Sequence, residues 1–487
     1  MITIKYNYDK DKITSGIVHI GVGNFHRAHQ AFYTNQLLAF PDQNTWGICG
    51  ASLLASDKNT VDRLRQQQFD YTLTVCGRYG NDTVHKIGAL KEIVAGYEFP
   101  EAVIAKMGSP STKIISLTIT EGGYNIDKNT GAFDLQQEAI QHDLKNKHTP
   151  TTVFGFVAEG LRARRMYGSG GVTILSCDNL QHNGDTAKKA FTTFIAAQDP
   201  ALAEWVAHNV TFPNSMVDRI TPATTKQDLI RLNINSGIDD LAPVYSEDFI
   251  QWVIEDNFIA GRPAWERVGV EFTEDVTAYE NMKLSLLNAS HTLLSYPAFL
   301  KGHRAVDVAM QDTSIVQLLR DFMNLDVTPF VEIPKGIDLE VYKQTLLERF
   351  ANKAVSDQVS RLCADGISKF PVYIVPVATK MLQTNKEMKR IAFLLAVYRH
   401  YLKYQQDDQG TRYTLTEPWL TKQEVQLIDS DDAAEFLKIS PFVSVNWNSS
   451  ASFLEQYLNF VEEVKVQGVA PTLDSLLQPA EATCSTN

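Results

Sequence analysis

The sequence predicts an α/β protein in two parts, a doubly wound strand–helix half followed by a mostly helical half. Three observations predict it. Short β-rich runs alternate with helical patterns through the first half. Two of these runs, at 113–119 and 172–177, are nearly continuous in apolar character, as parallel strands covered on both faces should be. Beyond about Glu280 convincing strands become few and helical periodicity takes over.

The elements follow in order. Ile17-Val18-His19-Ile20 reads as a short buried strand. An amphipathic helix over 28–40 comes next, carried by Ala28, Phe32, Tyr33, Leu37 and Leu38. Residues 46–51, 71–75, 113–119 and 172–177 read as further strands. In the second half, residues 282–299, 314–323, 339–350, 388–404 and 452–464 carry helical periodicity. Asp407-Asp408-Gln409-Gly410 reads as a surface turn, and residues 479–487 as a frayed tail. The expected domains are 1–280 and 281–487.

Composition narrows the classes of function. At roughly 150 residues per domain, 487 residues suggest about three domains or two large ones. Acidic residues outnumber basic ones, 57 to 45, and no Lys/Arg run occurs, which argues against nucleic acid as a partner. No apolar stretch approaches the roughly 18 residues of a membrane span. The charged start has no apolar segment after it, so it does not read as a signal peptide. The cysteines, Cys49, Cys76, Cys177, Cys363 and Cys484, are scattered and form no Cys-x-x-Cys. Neither a disulfide framework nor a structural zinc site is expected, and a reducing cytoplasm is.

After the first strand comes Gly21-Val22-Gly23-Asn24-Phe25-His26-Arg27-Ala28-His29. Glycines at a strand-to-helix turn let the backbone approach a pyrophosphate, whose charge the helix start stabilises. Here His26 replaces the third glycine of the usual fingerprint. A Gly-x-Gly turn alone also fits an ordinary tight βα turn; its place after the first strand favours a Rossmann-type dinucleotide domain. Such a site needs a carboxylate after the second strand for the ribose hydroxyls. Asp57 is the candidate, further from the glycines than the usual roughly 20 residues, and an exposed loop aspartate explains the spacing equally well. There, Asp57 would repel a 2′-phosphate and favour NAD over NADP, while Lys58 acts in the opposite sense.

The chemistry is read by elimination and from one helix. Zinc-type alcohol dehydrogenation needs Cys/His ligand spacings that are missing here. A Tyr-x-x-x-Lys pair, Tyr279 to Lys283, falls too late in the chain for a short-chain reductase. Lys283, Asn288 and His291 form a polar series on an otherwise apolar helix. At about 100° per residue they fall within an arc of roughly 140°. An exposed polar stripe is the commoner explanation of such a pattern. The strongly apolar neighbours favour a buried lysine, whose charged form is disfavoured and which then serves as a base. An asparagine NH2 beside it can stabilise a developing alkoxide.

Lys-x4-Asn-x2-His at 283–291 and Phe212-Pro-Asn-Ser-Met-Val-Asp218-Arg219-Ile-Thr-Pro222 together resemble the signatures of the polyol-specific long-chain dehydrogenases, the mannitol dehydrogenase family. Gly21 to His29, Thr120-Glu121-Gly122-Gly123-Tyr124, residues 252–258 and Gly261-Arg-Pro263 also have counterparts there, so the resemblance spans most of the chain. It implies a Rossmann-type N-terminal domain, a helical C-terminal domain and metal-free interconversion of a polyol and a ketose, mannitol and fructose, with NAD. Lys283 would be the general acid/base, with Asn179 and Asn288 as the oxyanion pair and His291 positioning substrate. Asp218, Arg361 and Lys369 would hold polyol hydroxyls. Glu280 would relay the proton, with Glu121 near its route. Gly21, Gly23, Phe25, Asp57 and Asn179 would contact the cofactor. The resemblance implies a monomer.

Structural roles compete for several of these residues. Asp218-Arg219 also fits an ion pair, Asp178 and Asn179 fit a helix cap, and Lys369 fits a surface lysine. His26 and His29 fit helix-start packing better than catalysis, and His182 has no evident partner. Fructuronate reduction to mannonate and arabinitol oxidation suit the same residues; the former needs a cation for the substrate carboxylate, Arg361 or Lys369. A non-catalytic nucleotide sensor predicts loss of the lysine or the asparagines, and all are present.

Overall fold

The computed structural model describes residues 2–3, 5–127, 130–355 and 357–478. The expected tail at 479–487, with Cys484, lies outside them. The chain divides into two compact units, Met1–Thr277 and Ala278–Asn487.

The first unit is built on a six-stranded sheet: β1 (Ser15–Ile20), β2 (Gly47–Ser52), β3 (Leu90–Ala95), β4 (Ile114–Leu117), β5 (Val172–Ser176) and β6 (Val210–Thr211). Its order is β3-β2-β1-β4-β5-β6, with every pairing parallel. This is the doubly wound dinucleotide order, whose switch point falls between β1 and β4. Side-chain alternation explains why the strands are apolar throughout. Ile17, Ile48, Ile114 and Leu175 enter one core cluster. Their neighbours Val18, Cys49, Ile115 and Ile174 enter another on the opposite face.

Two smaller sheets complete the unit. The run at Tyr71–Cys76 does not join the parallel sheet. It pairs antiparallel with Thr83–Ile87 and parallel with Val244–Glu247. Ser215–Asp218, Gln251–Glu255 and Glu271–Thr273 form a third sheet. The helix expected over 28–40 is instead two, α1 (Asn24–Ala28) and α2 (Gln30–Leu37). His29 separates them at φ −116°, ψ −88°. Its Nε2–H donates to the carbonyl of Gln251 (2.9 Å), so a tertiary contact overrides local helix continuation. α2 is buried on nearly all sides and is not amphipathic. α3 (Asn183–Gln198) follows β5.

The second unit is helical around a single apolar cluster. The helix expected over 282–299 has three segments: α4 (Thr277–Lys283), a π-helical turn at Leu284–Asn288, and α5 (Ala289–Leu300). Helix 313–321 also runs into a π segment, Phe322–Val327. Further elements are α6 (Val359–Cys363), α7 (Gly366–Tyr373), α8 (Lys389–Tyr404) and α9 (Ala451–Gln467). α8 is buried along nearly its whole length and packs against α9. The turn at 407–410 is real, but Asp407 is buried and pairs with Arg304. Asp408 Oδ2 accepts from the amides of Val469 and Ala470, so the turn caps the last helix. Among the described residues, no helix is long and apolar enough to cross a membrane. Cys49, Cys76, Cys177 and Cys363 are buried thiols.

Candidate active site

The glycine turn leaves the C-terminal end of β1. Gly21 has φ +95°, and an added Cβ would lie 2.1 Å from the carbonyl oxygen of Thr118, so no other residue fits. At Gly23 an added Cβ would meet nothing within 4 Å, which leaves its backbone open to approach. Behind the turn is a buried polar network. His19 Nε2 donates to Gly21 O (3.0 Å), while Nδ1 bonds Ser116 Oγ (2.8 Å). Thr118 Oγ1 also donates to Gly21 O (2.7 Å), and Gln30 bonds Ser116 Oγ (2.9 Å). Burial pushes His19 down to about 3, so the imidazole is neutral. His26 stacks on His19 with ring centroids 3.4 Å apart and is likewise held well below the usual histidine range by burial. An aromatic pair thus occupies the space where the fingerprint's third glycine would allow close helix–strand packing. Phe25 is half-buried and stacks on His29 at 5.0 Å. Both histidines at 26 and 29 serve packing.

Asp57 stands just past β2, its Oδ2 accepting from Ser52 Oγ (2.9 Å). Lys58 pairs with Asp62 (3.1 Å) and Glu98 (3.3 Å).

Sequence reasoning missed the residue that organises the next two strand ends. Asp178 accepts from the amides of Ile119 (3.0 Å) and Thr120 (2.8 Å) and from the Tyr124 hydroxyl (2.7 Å). It holds Thr120 at φ +65°, a strained value for a β-branched residue. Burial nevertheless raises its carboxyl above the usual range. Asn183 fixes the backbone beneath: Nδ2 donates to Asp178 O (3.0 Å) and Ser215 O (2.8 Å), and Oδ1 accepts from Ser215 N (2.9 Å). Asn179, next to Asp178, is exposed at the C-terminal end of β5, and Glu121 is exposed after β4. Neither Asp178 nor Asn179 caps α3, whose N-cap is His182 at φ +50° without a side-chain cap bond. Asp218 is buried at the end of its strand. Arg219 is structural: it donates to the carbonyls of Ala28 (2.6 Å) and Glu247 (3.0 Å) and lies over Phe32.

In the second unit Glu280 and Lys283 are both buried, 3% and 6% exposed. The π turn closes with the Ala289 amide bonding to Leu284 O, an i to i+5 bond. The same spacing separates Lys283 from Asn288: Lys283 immediately precedes the turn and Asn288 ends it. A regular helix would set them about 140° apart. Asn288 Oδ1 is buried without a hydrogen-bond partner among the described residues. His291 stacks on Phe350 (4.2 Å). α6 packs against α5, and α7 against the π turn. These two helices bring Arg361 and Lys369 to the same group of elements. Arg361 is 59% exposed at its side chain and clasps Asp357 through two bonds, 2.7 and 2.5 Å. Burial works against the Asp357 charge, but Arg361, with His291 adding to it, outweighs burial and holds the carboxyl below its usual range. Lys369 is half-buried, its ammonium on the carbonyls of Leu362 (3.1 Å) and Arg361 (3.4 Å). Its pKa is lowered, first by burial and then by Arg361. Among the described residues, no group of three His, Cys, Asp or Glu is arranged to hold a metal ion.

A parallel sheet in dinucleotide order with a glycine turn after its first strand, followed by a helical unit, is the architecture of a Rossmann-type dinucleotide-binding protein. Family profiles for the mannitol dehydrogenase Rossmann domain and the mannitol dehydrogenase C-terminal domain match residues 15–267 and 275–465. The chain belongs to the mannitol dehydrogenase family. It is 43% identical over 438 residues to a polyol:NADP oxidoreductase of Gluconobacter oxydans, covering 89% of this chain and 90% of that one. It is 38% identical over 470 residues to a mannitol 2-dehydrogenase of Aspergillus fumigatus, covering 95% and 93%. The Pseudomonas fluorescens mannitol 2-dehydrogenase, solved with NAD and D-mannitol, superposes with a TM-score of 0.88 at 41% identity, covering 98% and 97%. A substrate-free D-sorbitol dehydrogenase superposes at 0.90 with 40% identity, covering 97% of each chain.

Proposed function

We propose that this protein is a metal-independent, NAD-dependent polyol 2-dehydrogenase that interconverts D-mannitol and D-fructose, working as a cytoplasmic monomer. The observation that carries the chemistry is that Lys283 is buried one π turn before Asn288, whose Oδ1 is buried without a partner among the described residues. Relatives named for mannitol and for polyols support the substrate class.

The glycine turn fits a dinucleotide. Gly23 leaves its backbone open, Gly21 tolerates no Cβ, and Asp57 stands just past the second strand, where a ribose carboxylate belongs. Gly21, Gly23, Phe25, Asp57 and Asn179 would hold NAD, which when bound supplies the hydride acceptor. Lys283, in its neutral form, takes the proton of the reacting hydroxyl during oxidation and returns it during reduction. Asn288 and Asn179 donate from their amides to the oxygen as negative charge develops. Asn288 Oδ1 retains capacity to accept from a substrate hydroxyl. Asp218, His291, Arg361 and Lys369 bind and orient the remaining hydroxyls. Glu280 passes the proton onward from Lys283, with Glu121 near its exit.

Two observations bear on the alternatives. The Arg361 guanidinium is committed to Asp357. Its Nε and Nη2 are therefore taken, which leaves Lys369 as the cation for a hexuronate carboxylate and weighs against fructuronate as substrate. Lys58, the cation nearest Asp57 in sequence, is shared between Asp62 and Glu98, which disfavours a 2′-phosphate. Assays of mannitol, sorbitol, arabinitol, fructose and fructuronate with NAD(H) and NADP(H) test the reading. Turnover of mannitol and fructose with NAD(H) is expected; preference for fructuronate, or for NADP(H), would overturn the corresponding part.

A further inference from the structure

The arm that carries Arg361 and Lys369 is held from outside by a glutamate that neither signature includes. Glu417 lies in the irregular stretch between α8 and the helix at Lys422–Asp429. Its Oε1 accepts from the Gly366 amide (2.7 Å) and its Oε2 from the Ile367 amide (3.3 Å). These are the first two amides of α7, which its own N-cap residue, Asp365, does not cap with a side chain. The Tyr398 hydroxyl, from α8, donates to Oε1 (3.2 Å). The neighbouring carbonyl of Thr416 accepts from the Asp365 amide (3.0 Å). Asp365 itself sits at φ +60°, an uncommon conformation that this two-residue grip maintains. Gly366 must be glycine: an added Cβ would lie 2.4 Å from the Tyr296 hydroxyl, 2.5 Å from that of Tyr398 and 2.7 Å from Glu417 Oε1.

We propose that Glu417 is a positioning residue for polyol binding: acting through the amides of Gly366 and Ile367, its carboxylate sets where the arm from Arg361 to Lys369 stands. This rests on the reading that Arg361 and Lys369 hold substrate hydroxyls. The anchor changes charge near neutrality. Burial pushes Glu417 up to about 7, against the two amides and the Tyr398 hydroxyl, and Asp365 adds to the rise. The other titratable groups around it are the phenols of Tyr296 and Tyr401, the Cys363 thiol and the Lys369 ammonium. An ionised carboxylate accepts strongly from both amides, and a protonated one accepts more weakly. The arm should therefore tighten as pH rises through this range.

The test separates polyol binding from chemistry. Polyol Kd is measured for the NAD complex of a Lys283→Ala background, which removes the titration of the base, alongside KM and kcat in the otherwise native enzyme. Glu417→Gln should raise mannitol KM roughly tenfold at alkaline pH, with kcat and NAD affinity changed by no more than about twofold. In the Lys283→Ala background, mannitol Kd should rise as pH falls through about 7, and Glu417→Gln should abolish that rise. Tyr398→Phe, which removes one donor to the charged form, should move the midpoint to higher pH; this readout survives if the Glu417 variant folds poorly. An unmoved midpoint, an unchanged KM, or a parallel fall in kcat and NAD affinity would overturn the proposal. If Arg361→Ala and Lys369→Ala leave mannitol KM unchanged, the parent reading fails; if they raise it and Glu417→Gln does not, only the role of Glu417 falls.

Discussion

The glycine turn of the first unit and the π turn of the second are built in opposite ways. At the glycine turn, side chains are spent on the backbone. His19 holds the Gly21 carbonyl, Asp178 holds the amides of Ile119 and Thr120, and Asn183 holds the Asp178 carbonyl. At the π turn, one polar atom is left over: the Oδ1 of Asn288 is buried without a hydrogen-bond partner among the described residues. The first arrangement makes a fixed backbone surface, suited to a ligand recognised through main-chain groups. The second, on the proposed function, displays side chains for a reaction. Disturbing the first region should cost binding and stability, and disturbing the second should cost turnover.

The largest expected effect is on the second region. Lys283→Ala should lower kcat by on the order of 10³, the range of a positioned general base, with NAD affinity nearly unchanged. Steady-state kinetics with a parallel titration of NAD fluorescence checks both halves. A variant with near-native turnover would remove the distinction between the two regions. Next is Asn288→Leu, of similar volume but without the amide. A loss of about 10² in kcat is expected, as for one donor to a developing oxyanion. A change confined to KM would make Asn288 a binding residue only.

Gly21→Ala tests the first region. Its Cβ would meet the Thr118 carbonyl oxygen at 2.1 Å, and its φ of +95° is already unfavourable for alanine. A stability loss of about 2 kcal/mol is expected from strain and forced displacement. Urea unfolding measures it. NAD affinity should fall while single-turnover chemistry at saturating NAD stays close to native. A loss of chemistry with intact NAD binding would invert the comparison.

The difference between the regions also explains what was legible in the sequence. Gly21, Gly23 and the apolar strands were readable because tight turns and two-sided burial leave local patterns in composition. The parallel sheet, with Asp57 past its second strand, followed from them. The two-helix break at His29 was not readable, because its cause is a carbonyl more than 200 residues away in sequence, at Gln251. Asp178 resembled a cap because Asp before a helix usually is one; its partners at 119, 120 and 124 belong to another loop. The π turn escaped because apolar periodicity does not distinguish an α from a π segment when both are buried. It makes the 100° per residue of a regular helix the wrong measure of how Lys283 and Asn288 are related. Asp357, four residues before Arg361, had the spacing of a helical ion pair. It was overlooked because it stands before the start of α6.

The smallest effect is a pH dependence, and it sharpens the account of the first region. His19 is neutral in the fold, its pKa depressed from 6.5 to about 3 by burial. Unfolded, it binds a proton below about 6.5, so between the two values the unfolded chain holds more protons than the folded one. Stability from this group is therefore complete above about 6.5 and is lost as pH falls toward 3. Over the first unit of acidification below 6.5 the loss should be about 1 kcal/mol. His26, also depressed by burial, acts in the same sense. His19→Gln keeps a side-chain amide that can donate to the Gly21 carbonyl but cannot titrate. It should lower stability slightly at pH 8 and reduce the proton uptake on unfolding by about one proton. Urea titrations at several pH values measure both. If the proton uptake is unchanged, His19 is accessible to protons in the folded state, and the backbone of the glycine turn is less rigidly fixed than its hydrogen bonds imply.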